Sequence, residues 1–391
     1  MSTHFLSTIE FQMSLLLFVA LAGYLLAARI NQSAVIGEIL VGLIIGPSFL
    51  GLITYTDFVQ SLAHLGAIIL LFVVGFEFKI KEVFNLRYGV IALVGVVVPW
   101  IGGYYTAKLF GYSFGNAVFV GTALTATSIA ITANVLKEMN KLQTPAAQAI
   151  IGAAVIDDVL SLLALSLSNE IVFGTLSFST ILIPLIKAVL FLVIGAYLGG
   201  AVFTPLIEKI DQSSFGRKYP EFVFIFAMML AFFYAAIAEL LGLSGIVGAF
   251  LAGISFGGAM VRHGKSHKEG AEYLHIIFAS IFFVSLGVLV DIKLLTLNSL
   301  VFLMVLTVVA IVTKVVGCSL PALWQGLSKR DAAIIGLGMS PRGEVAMIIG
   351  LIGLREGIIN QDIYAAIIAM SLITTIFTPI VLRNWFYKES I

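Results

Sequence analysis

The sequence predicts an all-α polytopic membrane protein, and its composition, the spacing of its apolar runs and a weak internal repeat all indicate this class. Of 391 residues, 60% are hydrophobic and 11% are charged, whereas soluble domains carry about 25% charged residues. The formal net charge is +1, so the chain lacks the basic field that nucleic acid binding requires. The single cysteine, Cys318, lies in an apolar run, so no intramolecular disulfide forms.

The chain contains about 13 apolar runs, each long enough to cross about 30 Å of hydrocarbon as a helix. The connections between them are short, so we predict a single transmembrane unit over residues 1–391. The runs cover residues 9–29, 34–52, 61–78, 87–108, 114–136, 145–168, 178–206, 220–239, 243–260, 272–290, 298–323, 331–353 and 362–386.

Basic residues lie mainly on one side of these runs. Of the 22 Lys and Arg residues, 16 lie in odd-numbered connections or the C-terminal segment, 3 in even-numbered connections and 3 within the runs. Cytoplasmic segments of membrane proteins carry the excess of basic residues. We therefore predict an odd number of helices, an N-terminus outside and a C-terminus in the cytoplasm, in the plasma membrane of a prokaryote.

Two halves of the sequence are weakly similar to each other. VIGEILVGLIIG at 35–46 aligns with IVGAFLAGISFG at 246–257 and matches three glycines at an offset of 211. GTALTATSIAIT from Gly121 aligns with GLGMSPRGEVAM from Gly336 at an offset of 215. The second and ninth runs are seven crossings apart, so the two copies face opposite ways. Such inverted repeats are typical of secondary transporters, whose binding sites lie where the repeats meet.

The fifth and twelfth runs correspond in this repeat, and both are predicted to be interrupted. Pro341 cannot donate a helical hydrogen bond and Gly343 is a poor helix former, so the twelfth helix should open at its middle. The threonines around Thr125 also fit an unbroken helix, but the repeat favours a break there too. Arg342 and Glu344 have the right signs to balance the partial charges of the half-helix ends; direct contact with an ion is the alternative.

Two adjacent carboxylates, Asp157 and Asp158, lie in the middle of the sixth apolar run. A carboxylate at this depth costs several kcal/mol unless it is paired, hydrated or protonated, so the pair predicts an ion or proton site. Lys314 lies in the eleventh run. At 1.5 Å per residue from the nearest cytoplasmic basic residue, Asp157, Lys314, Arg342 and Thr127 lie roughly 24, 22, 18 and 15 Å deep. We therefore predict that they share one layer and one site.

The two aspartates cannot play the same part, because neighbouring helix positions point about 100° apart. We predict that one faces a water-accessible cavity and coordinates the ion, while the other contacts Lys314. Sodium ions and protons then compete for the same oxygens. Near the cytoplasmic end of the third run, Glu77 with Lys79 and Lys81 fits an interfacial cluster, and a role in gating or pH response is the alternative.

These features resemble the monovalent cation:proton antiporter-2 family, most closely its NapA-type sodium/proton antiporters. The resemblance covers essentially the whole chain and rests on TALTATS, AAVIDDV, the intramembrane Lys314 and SPRGE. It implies an NhaA-like inverted-repeat fold with two crossing broken helices, and a homodimer in membrane lipid. It also implies core ion-translocation helices in 87–168 and 298–386, dimerisation helices in 9–78 and 220–290, and a linker helix in 178–206.

By this resemblance, Asp158 is the main Na⁺ ligand, Asp157 is the partner of Lys314, and Thr127 offers a backbone or hydroxyl ligand beside Thr125 and Ser128. The implied activity is secondary Na⁺ or Li⁺ antiport against H⁺, electrogenic with two protons per cation, without a cofactor or enzymatic step. Two alternatives stay open: a K⁺/H⁺ antiporter of the Kef-like branch, and a sodium-coupled organic-anion symporter of the bile-acid type. A channel is a weaker third reading, because inverted repeats around two broken helices suit alternating access.

Overall fold

The computed structural model describes residues 8–83, 85–174, 178–219, 221–261 and 264–388, and α-helices make up most of these ranges. Short π-helical turns at Gly199–Phe203 and Leu382–Phe386 each continue a preceding α-helix. The helices are α1 Ile9–Arg29, α2 Ala34–Ile45, α3 Asp57–Gly75, α4 Ile80–Val83, α5 Leu86–Leu109, α6 Phe114–Ala123, α7 Ile129–Glu138, α8 Pro145–Phe173, α9 Phe178–Leu198, α10 Thr204–Gln212, α11 Ser214–Lys218, α12 Glu221–Leu240, α13 Gly245–Gly257, α14 Gly264–Val288, α15 Leu297–Trp324, α16 Lys329–Gly338, α17 Glu344–Arg355 and α18 Gln361–Val381.

Each predicted apolar run coincides with helix, which confirms an all-helical polytopic protein. Nine helical segments of the described chain are long and apolar enough to span a bilayer alone. Of the remaining runs, two form the short helices α2 and α13, with 12 and 13 residues, and two are interrupted. A helix of this length covers only about 20 Å. The count of 13 crossings therefore stays a prediction.

Several predicted boundaries differ from the structure, and two of the differences have a clear physical reason. The second run was expected to reach residue 52, but α2 ends at Ile45 and extended backbone follows at Gly46. The residue before a proline is pushed out of the helical region, and Pro47 follows directly. The tenth run was expected to begin at 272, but α14 begins at Gly264. Its first turns are rich in Lys and Glu, which form helix well outside the apolar region.

Helix crossings in the two halves of the chain use matching glycines. A side chain at Gly42 would collide with the carbonyl oxygen of Val284, and one at Gly253 would collide with that of Phe72. Gly42 and Gly253 are 211 residues apart, and Phe72 and Val284 are 212 apart. The crossing of α2 with α14 therefore matches the crossing of α3 with α13. This packing supports the inverted repeat.

The helices form two groups by their contacts. Helices α1, α2, α3, α12, α13 and α14 pack on one another, and we call them the scaffold group. Helices α5 to α8 and α15 to α18 form the core group. Contacts of α3 and α2 with α7, and of α18 with α2, join the two groups. The interrupted helices belong to the core group. Helix α7 follows the first interruption and contacts α2 and α3 of the scaffold, so this interruption lies beside the scaffold.

Candidate ion-binding site

Both interruptions expected from the sequence are present. Helix α6 ends at Ala123 and α7 begins at Ile129, while α16 ends at Gly338 and α17 begins at Glu344. The second gap contains Pro341, which lacks the amide hydrogen that a continuous helix needs. Each apolar run is thereby divided into two half-helices with an extended segment between them.

The two extended segments contact each other directly. The backbone N–H of Ser128 donates to the carbonyl of Pro341 at 2.9 Å, and the Thr127 hydroxyl donates to the carbonyl of Met339 at 3.1 Å. A Cβ at Gly343 would lie 2.6 Å from the Ser128 hydroxyl, so this close approach requires a glycine. Backbone groups freed from the helices are thus satisfied by the other segment, as an apolar environment demands.

Lys314 of α15 lies at the centre of this crossing. Its Nζ donates to Asp157 Oδ1 and to the carbonyl oxygen of Thr125, each at 2.7 Å. The side chains of Lys314 and Asp157 are 0% exposed. Each partner compensates the charge of the other, so removing either leaves an uncompensated buried charge. The predicted contact between one aspartate and Lys314 is observed, with Asp157 as the partner.

Arg342 supplies a second buried positive charge at the same crossing. Its Nη1 donates to the carbonyl oxygens of Ala126 at 2.7 Å and Thr125 at 3.4 Å, and its Nη2 donates to that of Ala310 at 3.2 Å. Thr125 and Ala126 follow the C-terminal end of α6, where carbonyl groups carry partial negative charge. This geometry supports the predicted role of Arg342 in balancing a half-helix end.

Asp158 points away from Lys314 into a small cavity of about 20 Å³. A cavity of this size holds about one water molecule. Asp158 is 8% exposed, and the backbone amide of Ser244, at the N-terminus of α13 in the scaffold group, faces its carboxyl group. Besides Asp158, the lining residues are Thr127, Ser128, Ile129, Ala130, Ser244, Ile246, Val247, Gly343, Glu344 and Val345.

Of the other predicted site residues, Thr125 and Glu344 lie at this centre, and Glu77 does not. The Thr125 hydroxyl donates to the carbonyl of Thr122 at 2.7 Å, so Thr125 meets the charged centre through its carbonyl group. Glu344 lies in the first turn of α17 and lines the cavity with Asp158. Glu77 lies elsewhere, in an ion pair with Lys268 of α14. The side chain of Lys81, its expected neighbour, is outside the described residues.

Three residues that stabilise the site were not predicted from the sequence. The Thr374 hydroxyl of α18 accepts from the backbone N–H of Arg342 at 3.1 Å, and the Thr375 hydroxyl donates to the Arg342 carbonyl at 2.8 Å. Ser244 was also missed. A signal for the threonines exists, because hydroxyl residues in an apolar run satisfy freed backbone groups nearby. Nothing in the sequence indicates that a scaffold loop reaches Asp158.

The described residues contain no group of three His, Cys, Asp or Glu side chains that could hold a metal ion. A cation at Asp158 would therefore complete its coordination with hydroxyl, backbone or water oxygens. These are the ligands that hard cations prefer.

Two broken helices crossing around buried charges, in an all-helical membrane fold, define a secondary transporter. The chain belongs to the sodium/hydrogen exchanger family, since the model for the transmembrane part of these exchangers matches residues 15–387. The predicted resemblance to cation:proton antiporters is thereby confirmed, and the protein is a transporter, not an enzyme.

Similar proteins cover almost the whole chain. It is 33% identical over 380 residues to the Na⁺/H⁺-K⁺ antiporter GerN of Bacillus cereus, covering 96% of each chain. It is 31% identical over 378 residues to a Na⁺/H⁺ antiporter of Enterococcus hirae, covering 96% of this chain and 97% of that relative. The structure of the sodium proton antiporter MjNhaP1 from Methanocaldococcus jannaschii matches with a TM-score of 0.69 at 20% identity, covering 97% of this chain and 98% of that one. At this identity the likeness shows a shared fold.

Proposed function

We propose that this protein exchanges Na⁺ for protons across the plasma membrane of a prokaryote by alternating access. The observation that carries the proposal is the buried Asp158 carboxyl group on a cavity of about 20 Å³, beside the Lys314–Asp157 pair. The relatives named above are described as Na⁺/H⁺ antiporters, which supports the same function.

Competition at one carboxyl group couples the two fluxes. Asp158 binds either a proton or a cation, because the cavity has room for about one water-sized particle. Oxygen atoms of Thr127 and Ser128 line the same cavity and complete the coordination of a hard cation. Li⁺ is a second substrate, since it is also a hard monovalent cation. Without a cation, protonation removes the cost of a buried negative charge.

The Lys314–Asp157 pair carries the second proton. In the proton-loaded state Asp158 is neutral, and Lys314 and Asp157 are oppositely charged. When a cation binds, Asp158 and Lys314 each release one proton, and both carboxylates face the cation. Two protons then cross for each Na⁺, so one net charge moves per cycle and the exchange is electrogenic.

The core group moves against the scaffold group to change access. Ser244 of the scaffold covers Asp158 on one side. At the other end of the core, Lys137 of α7 forms an ion pair with Glu272 of α14, which joins the two groups. We propose that the scaffold forms the interface of a homodimer in the lipid bilayer, with the N-terminus outside and the C-terminus cytoplasmic. Glu77 is a candidate for pH-dependent gating.

Purified protein in liposomes that contain a pH-sensitive dye tests the function. Na⁺ or Li⁺ added outside should collapse an imposed pH gradient, while choline should not. K⁺ should be tested in the same assay, because the Bacillus cereus relative is a Na⁺/H⁺-K⁺ antiporter. Sodium-dependent uptake of a labelled bile acid without proton movement would contradict the proposal and favour the symporter alternative.

A further inference from the structure

A second cavity of about 420 Å³ lies between α1, α2, α7 and α14, apart from the cavity at Asp158. The two cavities share no lining residue. This volume is within the usual range for pockets that bind small molecules. Apart from the Lys137–Glu272 ion pair, the proposed transport cycle does not use the side chains around it.

Three carboxyl groups line this cavity, those of Glu38, Glu138 and Glu272, and the first two have no ion-pair partner among the described residues. Glu38 is 3% exposed, and its Oε1 accepts from the Ser280 hydroxyl at 2.6 Å. Glu138 accepts from the Ser33 hydroxyl at 2.6 Å and from the Asn134 amide at 3.0 Å.

Both basic residues of the lining, Lys137 and Arg383, already have a polar partner. Lys137 forms its ion pair with Glu272, and Arg383, which lies near Glu138, donates from Nη2 to Asn31 Oδ1 at 2.9 Å. By formal charge the lining holds three acidic residues and two basic ones.

Three further polar groups in the lining have buried atoms with no hydrogen-bond partner among the described residues. They are Oε1 of Gln32, Oδ1 of Asn134 and both ring nitrogens of His275. The His275 side chain is buried, with 8% exposure, and the Asn134 side chain with 5%. Buried polar groups are normally hydrogen-bonded. Two of these groups are oxygen acceptors, and a neutral imidazole adds an acceptor nitrogen.

We propose that this cavity binds a small primary alkylammonium ion. An ammonium group carries one positive charge and three N–H donors, which matches the carboxyl groups of Glu38 and Glu138, neither of which has an ion-pair partner among the described residues. Ala27, Ile276, Ala279 and Phe283 also line the cavity and supply an apolar wall for the alkyl part. A bare metal ion fits less well, because no three metal-binding side chains converge in the described chain.

A bound alkylammonium ion would join the two helix groups. Glu138 and Asn134 belong to α7 of the core group, whereas Glu38 and His275 belong to α2 and α14 of the scaffold group. A ligand held by both sides opposes their relative movement. We therefore expect it to slow exchange, and this consequence alone rests on the proposed function.

Binding is tested on full-length Asp158→Asn protein in detergent, where the proposed transport site is disabled, so the result does not depend on the transport proposal. Isothermal titration with ethylammonium should give saturable binding. Tetramethylammonium, which has the same charge and no N–H donor, should bind at least about tenfold more weakly, since each tenfold step is about 1.4 kcal/mol. Na⁺ should not compete.

In the Asp158→Asn background, Glu38→Gln should weaken ethylammonium binding at least tenfold. Glu356 is exposed and does not line the cavity, so the control variant Glu356→Gln should leave the binding unchanged. His275→Phe keeps an aromatic ring at this position but has no ring nitrogen. It should also weaken ethylammonium binding, so it serves as the test if the Glu38→Gln variant does not fold. Equal binding of ethylammonium and tetramethylammonium, no binding of either, or displacement by Na⁺ would each overturn the proposal.

Discussion

Lys314 and Asp157 form an ion pair with 2.7 Å between Nζ and Oδ1, and neither side chain reaches solvent. The pair joins α15 to α8, and the second hydrogen bond of Lys314, to the Thr125 carbonyl, joins both to the end of α6. Three separate apolar runs thus meet at one buried charge pair, next to the carboxyl group of Asp158.

Replacing Lys314 with Gln should leave weak exchange that no longer responds to voltage. The variant keeps Asp158 but removes one of the two proposed proton carriers, so one proton would then exchange for one cation. The measurement is the exchange rate in liposomes with the membrane potential clamped by potassium and valinomycin, first at zero and then at a negative value. Lys187→Gln, at an exposed position of α9, is the control and should behave as the parent. Voltage-independent exchange by the parent would refute the assigned stoichiometry.

Replacing Arg342 with Ala should lower thermal stability in detergent together with activity. The carbonyl groups of Thr125, Ala126 and Ala310 would lose their donor, and a buried acceptor left without a donor typically costs about 1–3 kcal/mol. Arg342→Lys should restore only part of the lost stability, because an ammonium group lacks the planar, forked set of N–H donors of a guanidinium group. A melting curve of each variant gives the answer, and an unchanged midpoint for Arg342→Ala would disprove the balancing role.

The substitution Glu344→Ala distinguishes a stabilising role of this carboxylate at the start of α17 from a role as an ion ligand. We expect Glu344→Ala to lower thermal stability as well as exchange, because the carboxylate lies in the first turn of α17, where negative charge is favourable. Its position on the cavity of Asp158 leaves the other role open to test. A variant as stable as the parent, with reduced cation affinity, would assign Glu344 to the ion ligands instead.

The matching glycine crossings predict matching losses of stability. Gly42→Ala and Gly253→Ala each push a methyl group into a backbone carbonyl of the facing helix, and overpacking of this kind costs about 1–3 kcal/mol. Gly270→Ala in α14 is the control, because nothing lies within 4 Å of its Cβ position; it should be neutral or stabilise the helix by up to about 1 kcal/mol. Similar losses at Gly42 and Gly253 would support the inverted repeat, and an unchanged midpoint for either would count against it.

Much of this site was predictable because burial of charge in an apolar run is costly and therefore conspicuous. Depth counted from basic residues placed Asp157, Lys314, Arg342 and Thr127 in one layer, and the structure brings them together. Pro341 indicated one interruption, and the repeat indicated the other.

The missing parts of the site depend on tertiary contacts that the sequence does not encode locally. Ser244 reaches Asp158 from a different helix group. Thr374 and Thr375 place hydroxyl groups in an apolar run, but nothing in that run indicates that they bind the backbone of Arg342. The early end of α2 was also not predicted, because the apolar run continues to residue 52, although Pro47 favours an end before it. The division into moving and stationary helices and the roles of the site residues stay predictions.

Sodium-driven proton movement by Asp158→Asn protein in liposomes tests the central claim most directly. The parent and Asp57→Asn, a control at an exposed carboxylate, should both collapse a pH gradient when Na⁺ is added. Asp158→Asn should fold with a melting midpoint close to that of the parent and give no Na⁺-dependent pH change, because the amide binds neither a proton nor a cation in place of the carboxylate. Full exchange by folded Asp158→Asn protein would contradict the account.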